Sequence, residues 1–278
     1  MPEKPEVITV SKKLKLKLLG KTFKKVDVLY EGIIEKISVS DFKEKLIGQT
    51  IQDITTRGKW IVFHLDSYVL LTHLRMEGKF CYRNEGDILE KHQHVIFTFE
   101  DGLELRFMDT RKFGKMTILD KKNYLETKPL SDLGYEFDDK NLTIDYLKDK
   151  FSKKKIAIKT TLLDQSIIAG IGNIYADEIL FLSKINPYKE PCCLNEIELD
   201  NIIKNTVVIL EKAIKEGGTT IRSYTSEEGV TGLFQNSLYV HSRVNEKCNE
   251  CGEIIVKTRI NGRGTYYCPK CQKGVLRN

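Results

Sequence analysis

Long apolar runs are missing from this 278-residue sequence, and so are internal repeats and low-complexity tracts. No stretch of 18 apolar residues occurs, so the sequence predicts no membrane-spanning segment. The N-terminus also lacks the apolar run of a signal peptide. A hydrophobic content of 41% is nevertheless ample for a folded core, and the length favours two domains or one domain with an appended module.

A large net charge is lacking as well, since the formal charge is only +6. The distribution of charge is more informative than its total. Residues 241–278 contain eight Lys and Arg but three acidic residues, so most of the net charge lies in this segment. A basic terminal module suggests a polyanionic partner. The alternative, a solubilising tail, is weakened by the cysteines found there.

Cysteine usage points to metal binding. Seven cysteines in a chain without a secretion signal suit a reducing compartment, where paired cysteine motifs bind metal more often than they form disulfides. Two CxxC pairs separated by 16 residues match a closed, structural four-thiolate zinc site, and two disulfides are the alternative. The predicted zinc ligands are Cys248, Cys251, Cys268 and Cys271. The cysteines without such partners are interpreted as ordinary residues: Cys81, Cys192 and Cys193.

Hydrophobic periodicity divides the chain into a strand-rich part and a helical part. Apolar residues at helical spacing predict a helix over 5–19, and short strands then follow to about residue 119, which implies a sandwich or barrel. The predicted strands are 51–54, 60–65, 68–71, 94–99, 103–107 and 115–119. The predicted helices after residue 136 are 144–151, 162–169, 174–182 and 196–216. Strand-like residues return at 238–240 and around the cysteine pairs.

The first residues, Met1-Pro2-Glu3-Lys4-Pro5-Glu6-Val7, carry candidate catalytic groups. Removal of the initiator methionine is expected before the compact Pro2 and would expose a secondary amine. An α-amine has a pKa of roughly 8, so it is far less protonated at neutral pH than a lysine. Such an amine can attack a carbonyl-like carbon and form a cationic iminium, with Glu3 as an adjacent general acid or base. Taken alone, Pro and Glu are also common in frayed termini.

Two glycine-containing segments are candidate phosphate sites. Gly170-x-Gly172 suggests a dinucleotide-binding fold, but the segment lies between predicted helices rather than after a strand. A helix–two-turn–helix is the better interpretation, in which Asn173 and backbone N–H groups hold a phosphate. Near the C-terminus, Gly262 and Gly264 flank Arg263 and allow a hairpin tip that presents one guanidinium to a phosphate.

The N-terminal MPEKPEV is similar to the MPELPEV start of the formamidopyrimidine-DNA glycosylase and endonuclease VIII family. Further segments continue the resemblance over nearly the whole chain: residues 56–60, 73–76, 109–113, 162–178 and 219–235. The implied fold is α+β and multi-domain. Its implied parts are a catalytic β-sandwich with an N-terminal helix (1–135), a helix–two-turn–helix domain with a lesion-recognition loop (136–238), and a β-hairpin zinc finger (239–278).

The resemblance implies a bifunctional DNA glycosylase and abasic-site lyase of base excision repair, with one structural zinc ion. The implied partner is damaged double-stranded DNA, held in a basic cleft by a monomeric protein in the bacterial cytoplasm. The implied catalytic residues are Pro2, Glu3, Lys59 and Arg263. The residues implied to contact substrate or DNA are Glu6, His73, Met76, Arg111, Phe113, Lys159 and Asn173.

Met76, Arg111 and Phe113 match the family's void-filling triad. An enzyme that extrudes a nucleotide leaves a gap in the base stack, and apolar wedges can occupy that gap. The resemblance implies that Arg111 bonds the orphaned base. Without the resemblance, Met76 and Phe113 would be interpreted as core residues and His73 as a structural histidine.

The Arg111-x-Phe113 pairing resembles the branch of the family that acts on oxidised purines, namely 8-oxoguanine and formamidopyrimidines. One alternative is an endonuclease VIII-type enzyme for oxidised pyrimidines. The other is a non-catalytic zinc-dependent protein that binds damaged DNA. The chain departs from the common family pattern at Lys4, Ile8, Ser223, His241 and Ser242, and these departures leave the lesion range open.

Overall fold

The computed structural model describes residues 2–219 and 232–274. The helices within these residues are α1 (Lys4–Leu18), α2 (Val39–Leu46), α3 (Ile144–Phe151), α4 (Ile158–Leu162), α5 (Asn173–Leu182) and α6 (Glu196–Lys215). The strands are β1 (Phe23–Val28), β2 (Asp53–Arg57), β3 (Trp60–His64), β4 (Tyr68–His73), β5 (Lys79–Asn84), β6 (Gln93–Phe99), β7 (Leu103–Met108), β8 (Lys115–Asp120), β9 (Val256–Ile260) and β10 (Arg263–Tyr267). None of the described helices is long and apolar enough to cross a membrane.

The described residues form two compact units. The first contains residues 2–131 together with 219 and 232, and the second contains 132–218 and 233–274. The helical segment and the cysteine-bearing hairpin therefore fall in the same unit. The three domain boundaries expected from the sequence stay predictions.

The first unit contains two four-stranded antiparallel sheets, with strand orders β1-β6-β7-β5 and β2-β3-β4-β8. Apolar side chains from both sheets share one core with those of α1, among them Phe97, Phe63 and Leu14. This confirms the β-sandwich with an N-terminal helix. The six predicted strands are all present, although the first is shifted from 51–54 to Asp53–Arg57.

Helix α1 begins where the sequence has Pro5 in its first turn, a position that tolerates the missing N–H of proline. Its buried face carries Val7, Leu14 and Leu18, which recur at helical spacing. Gly20 follows the helix with a positive φ of 78°. These features confirm the predicted N-terminal helix and fix the position of the residues that precede it.

The second unit contains helices α3 to α6, packed around a core that includes Leu162, Ile179 and Leu210. The predicted helices over 144–151, 174–182 and 196–216 are confirmed to within one residue. Gly217 and Gly218 follow α6 with positive φ, as expected for a helix stop.

The helix predicted over 162–169 is wrong. Helix α4 ends at Leu162, and polar side chains then take the backbone groups that a helix would have used. The Asp164 carboxylate accepts the N–H of Ser166 at 3.0 Å, and the Gln165 amide bonds the carbonyls of Leu163 and Ile171, both at 2.9 Å. Such local bonds compete with helix formation. The apolar residues of this segment are buried in an irregular turn.

The β9–β10 hairpin lies between the two cysteine pairs and confirms the strands expected there. Its turn is formed by Asn261 and Gly262, with φ of 47° and 75°. The strand expected at 238–240 is wrong, because this segment has no strand partner among the described residues. Its backbone N–H groups bond the buried carboxylate of Glu178 instead.

Candidate DNA-processing site

Pro2 and Glu3 are buried at the start of α1. The Glu6 carboxylate accepts the backbone N–H of Glu3 at 2.8 Å, as in a capping box. This bond satisfies a donor at the helix end and fixes the backbone beside Pro2. The backbone at Glu3 is therefore held in place, and the described start of the chain is buried.

Glu6 also connects α1 to a segment far along the chain. Its second carboxylate oxygen accepts the N–H of Thr219 at 2.8 Å and the Thr219 hydroxyl at 3.2 Å. Glu6 is thus bonded both to the start of α1 and to the first residue of the expected lesion-recognition loop. Residues 220–231 of the expected lesion-recognition loop, including Ser223, lie outside the described residues.

Lys59 lies in the two-residue turn of the β2–β3 hairpin, after Gly58 with a φ of 55°. The Lys4 ammonium donates to the Thr56 hydroxyl at 3.0 Å, which brings the start of α1 to the end of β2. The Lys59 side chain is 7% exposed, so it is not a surface lysine. The structure thus places Lys59 on the hairpin whose end also contacts the N-terminal helix.

His73 ends β4 and pairs with Trp60 across the sheet. Burial, together with the nearby positive charges of Arg75 and Lys59, lowers the pKa of His73 from 6.5 to about 3. The Nδ1 atom accepts the backbone N–H of Arg75 at 2.9 Å, so the proton of the neutral ring is on Nε2. His73 can therefore offer one uncharged N–H donor to a phosphate oxygen.

The three residues of the expected void-filling triad lie on two turns of the first unit. Met76 is partly buried in the β4–β5 turn, and Arg111 and Phe113 are exposed in the β7–β8 turn. The Arg111 guanidinium lies over the Phe113 ring at 4.7 Å. Both turns pass the ring of Phe107, since a Cβ at Gly78 or Gly114 would lie within 2.8 Å of it. Phe113 is thus exposed. The sequence without the family resemblance would have predicted a core residue at this position.

In the second unit, Asn173 is the first residue of α5, and its side-chain N–H donates to the carbonyl of Gly264 at 3.0 Å. Arg263 precedes Gly264 and is exposed directly after the hairpin turn. The first N–H groups of a helix point away from its N-terminal end and favour anions there. The structure therefore places the predicted phosphate contact Asn173 in hydrogen-bond contact with the residue next to Arg263, the other predicted contact.

Lys159 has a different environment from the one expected of a direct phosphate contact. Its side chain is fully buried, and its ammonium donates to the carbonyl of Asn173 at 3.0 Å and forms an ion pair with Asp177. Asp177, also buried, accepts from His241 through its other oxygen at 2.7 Å. This burial supports an indirect role, in which Lys159 fixes the start of α5. Neither Asp177 nor this role of His241 was identified from the sequence, because the partners are 18 and 64 residues apart.

The four cysteines of the CxxC pairs come together at the base of the β9–β10 hairpin, with their sulfur atoms within 4.8 Å of one another. Sγ of Cys248 and Cys271 are 3.9 Å apart, and those of Cys251 and Cys268 are 3.5 Å apart. A tetrahedral zinc ion with Zn–S bonds of about 2.3 Å needs sulfur separations of about 3.8 Å. The cluster therefore fits one structural zinc ion. The other cysteines lie elsewhere, with Cys81 buried and Cys192 and Cys193 exposed.

A β-sandwich with a buried Pro-Glu terminus, joined in sequence to a helical segment and a four-cysteine hairpin, defines a zinc-containing protein of the DNA-repair glycosylase class. Family models confirm each part. The formamidopyrimidine-DNA glycosylase N-terminal domain matches residues 1–116, its helix–two-turn–helix domain matches 133–225, and the zinc finger found in these enzymes and in isoleucyl-tRNA synthetase matches 245–274.

Whole proteins and solved structures agree with these domain matches. The formamidopyrimidine-DNA glycosylases of Bacillus anthracis and Oceanobacillus iheyensis are 44% and 43% identical to this chain, covering 98% of it and 99% and 98% of those proteins. A Lactococcus lactis Fpg mutant bound to Fapy-dG-containing DNA superposes with a TM-score of 0.92, and MutM bound to carbocyclic 8-oxo-G-containing DNA with 0.90. Each is 36% identical and covers 98% of this chain and 100% of its own. The chain belongs to the formamidopyrimidine-DNA glycosylase family.

Proposed function

We propose that this protein is a bifunctional DNA glycosylase and abasic-site lyase that excises oxidised purines from duplex DNA in base excision repair. The observation that carries the proposal is the fixed, buried Pro2-Glu3 terminus, whose backbone is tied to Glu6. The protein acts as a monomer in the bacterial cytoplasm, where its DNA substrate lies.

The chemistry begins at Pro2 once Met1 has been removed. The unprotonated secondary amine attacks C1′ of the damaged nucleotide, and the base leaves with the electrons of the glycosidic bond. The nitrogen of this adduct then loses its proton, and the C1′–O4′ bond of the sugar breaks as O4′ takes up a proton, so the nitrogen lone pair forms an iminium with C1′. The iminium acidifies the C2′ hydrogen because it withdraws electrons. Loss of that proton expels the 3′ phosphate, and a second elimination expels the 5′ phosphate. Glu3 carries protons to and from the sugar, and Lys59 assists proton transfer or binds the damaged base.

DNA contacts from both units set the register of the duplex. His73 and Asn173 supply uncharged N–H donors to the phosphates, whereas the Arg263 guanidinium can form two parallel hydrogen bonds to one phosphate. Met76, Arg111 and Phe113 occupy the place of the extruded nucleotide, and Arg111 bonds the orphaned base. This Arg–Phe pair, exposed and already stacked, supports oxidised purines opposite cytosine as the substrate. Glu6 contacts the damaged base.

Borohydride trapping of the iminium is the decisive experiment. With an 8-oxoguanine:C duplex, the wild type should become covalently attached to DNA, and Pro2→Gly should trap more slowly. Glu3→Gln should bind the duplex with unchanged affinity but release no base. A matched form that carries an uncleavable N-terminal extension before Pro2 should bind DNA and give no adduct.

Four outcomes would contradict the proposal or part of it. Equal trapping by the extended form would exclude Pro2 as the nucleophile, and full activity of Glu3→Gln would exclude its role in proton transfer. Preferential excision of thymine glycol over 8-oxoguanine would instead assign the protein to damaged pyrimidines. Binding to damaged DNA without any trapped adduct would identify a non-catalytic protein.

A further inference from the structure

The turn that carries Arg111 and Phe113 is organised around one buried carboxylate, that of Asp109. This side chain is 1% exposed. One of its oxygens accepts the N–H of Arg111 at 3.0 Å, and the other accepts those of Phe113 at 2.8 Å and Gly114 at 2.7 Å. The N–H of Lys112 bonds the Asp109 carbonyl at 3.2 Å. Four successive backbone donors of the turn therefore end on a single residue.

Asp109 is itself held from the opposite side. Its N–H donates to the carbonyl of His92 at 3.0 Å, and its carbonyl accepts from Nε2 of His94 at 2.8 Å. These residues flank the start of β6, a central strand of its sheet. Because the backbone N–H and the carbonyl of Asp109 are both hydrogen-bonded, its carboxylate is held in one position relative to the turn.

The geometry leaves the turn little freedom. A Cβ at Gly114 would lie 2.4 Å from the Phe107 ring and 3.2 Å from the Asp109 carboxylate, so the chain passes close against both. Lys112 has a positive φ of 58°, and its ammonium lies over the Tyr30 ring at 4.6 Å. Lys112 is therefore anchored on the sandwich, while Phe113 beside it remains 47% exposed.

We propose that Asp109 is a positioning residue that holds Arg111 and Phe113 in the conformation that enters the DNA stack. The inference deepens the proposed function and rests on it. A side-chain pair that is already oriented loses less conformational entropy when it inserts, and a misplaced one loses contact with the orphaned base. Asp109 thus controls base extrusion and selection of the opposite base without touching DNA.

Asp109→Asn tests the proposal with almost no change of volume. The amide nitrogen must replace one carboxylate oxygen, so at least one backbone donor of the turn faces another donor. Excision from an 8-oxoguanine:C duplex should fall about tenfold or more, and the preference for cytosine over adenine opposite the lesion should shrink. Strand cleavage at an abasic site in single-stranded DNA should be retained, because no stack has to be filled there.

Asp120→Asn is the matched control. Asp120 also accepts a backbone N–H of its own turn, that of Lys122 at 2.9 Å, but it is exposed and ends β8. This variant should match the wild type in every assay. Gly114→Ala is a second test that keeps the charge, because its methyl group should displace the turn from the carboxylate and reproduce the selectivity loss. In an Arg111→Ala/Phe113→Ala background, Asp109→Asn should have little further effect.

A binding assay separates this inference from the proposed function. A duplex with tetrahydrofuran opposite 2-aminopurine should change fluorescence when Arg111 and Phe113 enter the stack, and Asp109→Asn should give a smaller saturating change. If the wild type inserts its side chains but excises nothing, the proposed function fails while this comparison still tests Asp109. Wild-type insertion and selectivity in Asp109→Asn would overturn the inference. An equal loss of single-strand cleavage would reduce Asp109 to a general structural role and overturn it as well.

Discussion

At the scale of single residues, burial decides which form of His73 the protein presents. The folded protein holds this imidazole neutral because its environment lowers the pKa to about 3, whereas the unfolded chain gives it an ordinary value near 6.5. Between these two values the unfolded state binds up to one more proton than the folded state. Stability therefore rises with pH across this window, and the contribution is lost as the pH falls below 6.5.

His73→Gln should remove this dependence, because glutamine keeps an uncharged N–H donor and does not titrate. Urea unfolding between pH 6.5 and 5 should show the wild type losing up to about 1.4 kcal/mol of stability per pH unit more than the variant. The comparison is confined to this range because carboxylates titrate below it. Parallel stability curves would mean that the pKa of His73 is the same in the folded protein as in the unfolded chain.

The sequence resemblance also implied a direct DNA contact for Lys159. A lysine before a glycine-rich turn suggests phosphate binding, but its burial depends on Asp177, which lies on the next helix. A buried ion pair of this kind is formed by tertiary packing and has no local pattern in the sequence. By contrast, the zinc ligands could be assigned from the sequence, because both halves of the site are short local motifs.

At the scale of elements, hydrophobic periodicity in the sequence was sufficient to predict helix α6 and strands such as β6 and β7. Hydrophobic periodicity did not predict α2, because this helix is eight residues long and buries only Phe42 and Leu46. The available signal was the helix cap, since the Ser38 hydroxyl accepts the N–H of Asp41 at 3.0 Å. The helix predicted after Leu162 was wrong for the opposite reason. Its apolar residues have helical spacing, but its polar side chains form hydrogen bonds with the backbone.

The segment that leads to the cysteine hairpin depends on one carboxylate of α5. Glu178 is buried and accepts the N–H groups of Tyr239, Val240 and His241 at 2.7, 3.0 and 2.8 Å. Glu178→Gln should place an amide nitrogen against at least one of these donors. We expect the free energy of unfolding of this unit to fall by about 1–3 kcal/mol, and zinc to be lost faster to a chelator.

Glu196→Gln is the control for this prediction, since Glu196 is an exposed partner of Lys148 in the same unit. It should leave both unfolding and zinc release unchanged. If Glu178→Gln behaved like Glu196→Gln, the three N–H bonds would not be what secures the segment before the hairpin.

At the scale of the whole molecule, the proposed phosphate contacts are of two electrostatic kinds. Arg263 is charged, whereas His73 is neutral because of its low pKa. Only charged contacts displace counterions from DNA, and each changes the slope of log affinity against log salt by about 0.9. The charge difference between these two proposed phosphate contacts depends on the burial of His73 in the folded protein.

Arg263→Gln and His73→Gln should therefore weaken DNA binding in different ways. With a tetrahydrofuran-containing duplex titrated between about 50 and 200 mM salt, Arg263→Gln should reduce the magnitude of the slope by about 0.9. His73→Gln should lower the affinity at every salt concentration and leave the slope unchanged, because the contact carries no charge. A reduced slope for His73→Gln would show that the histidine binds phosphate as a cation, and its burial would then fail to set its charge in the complex.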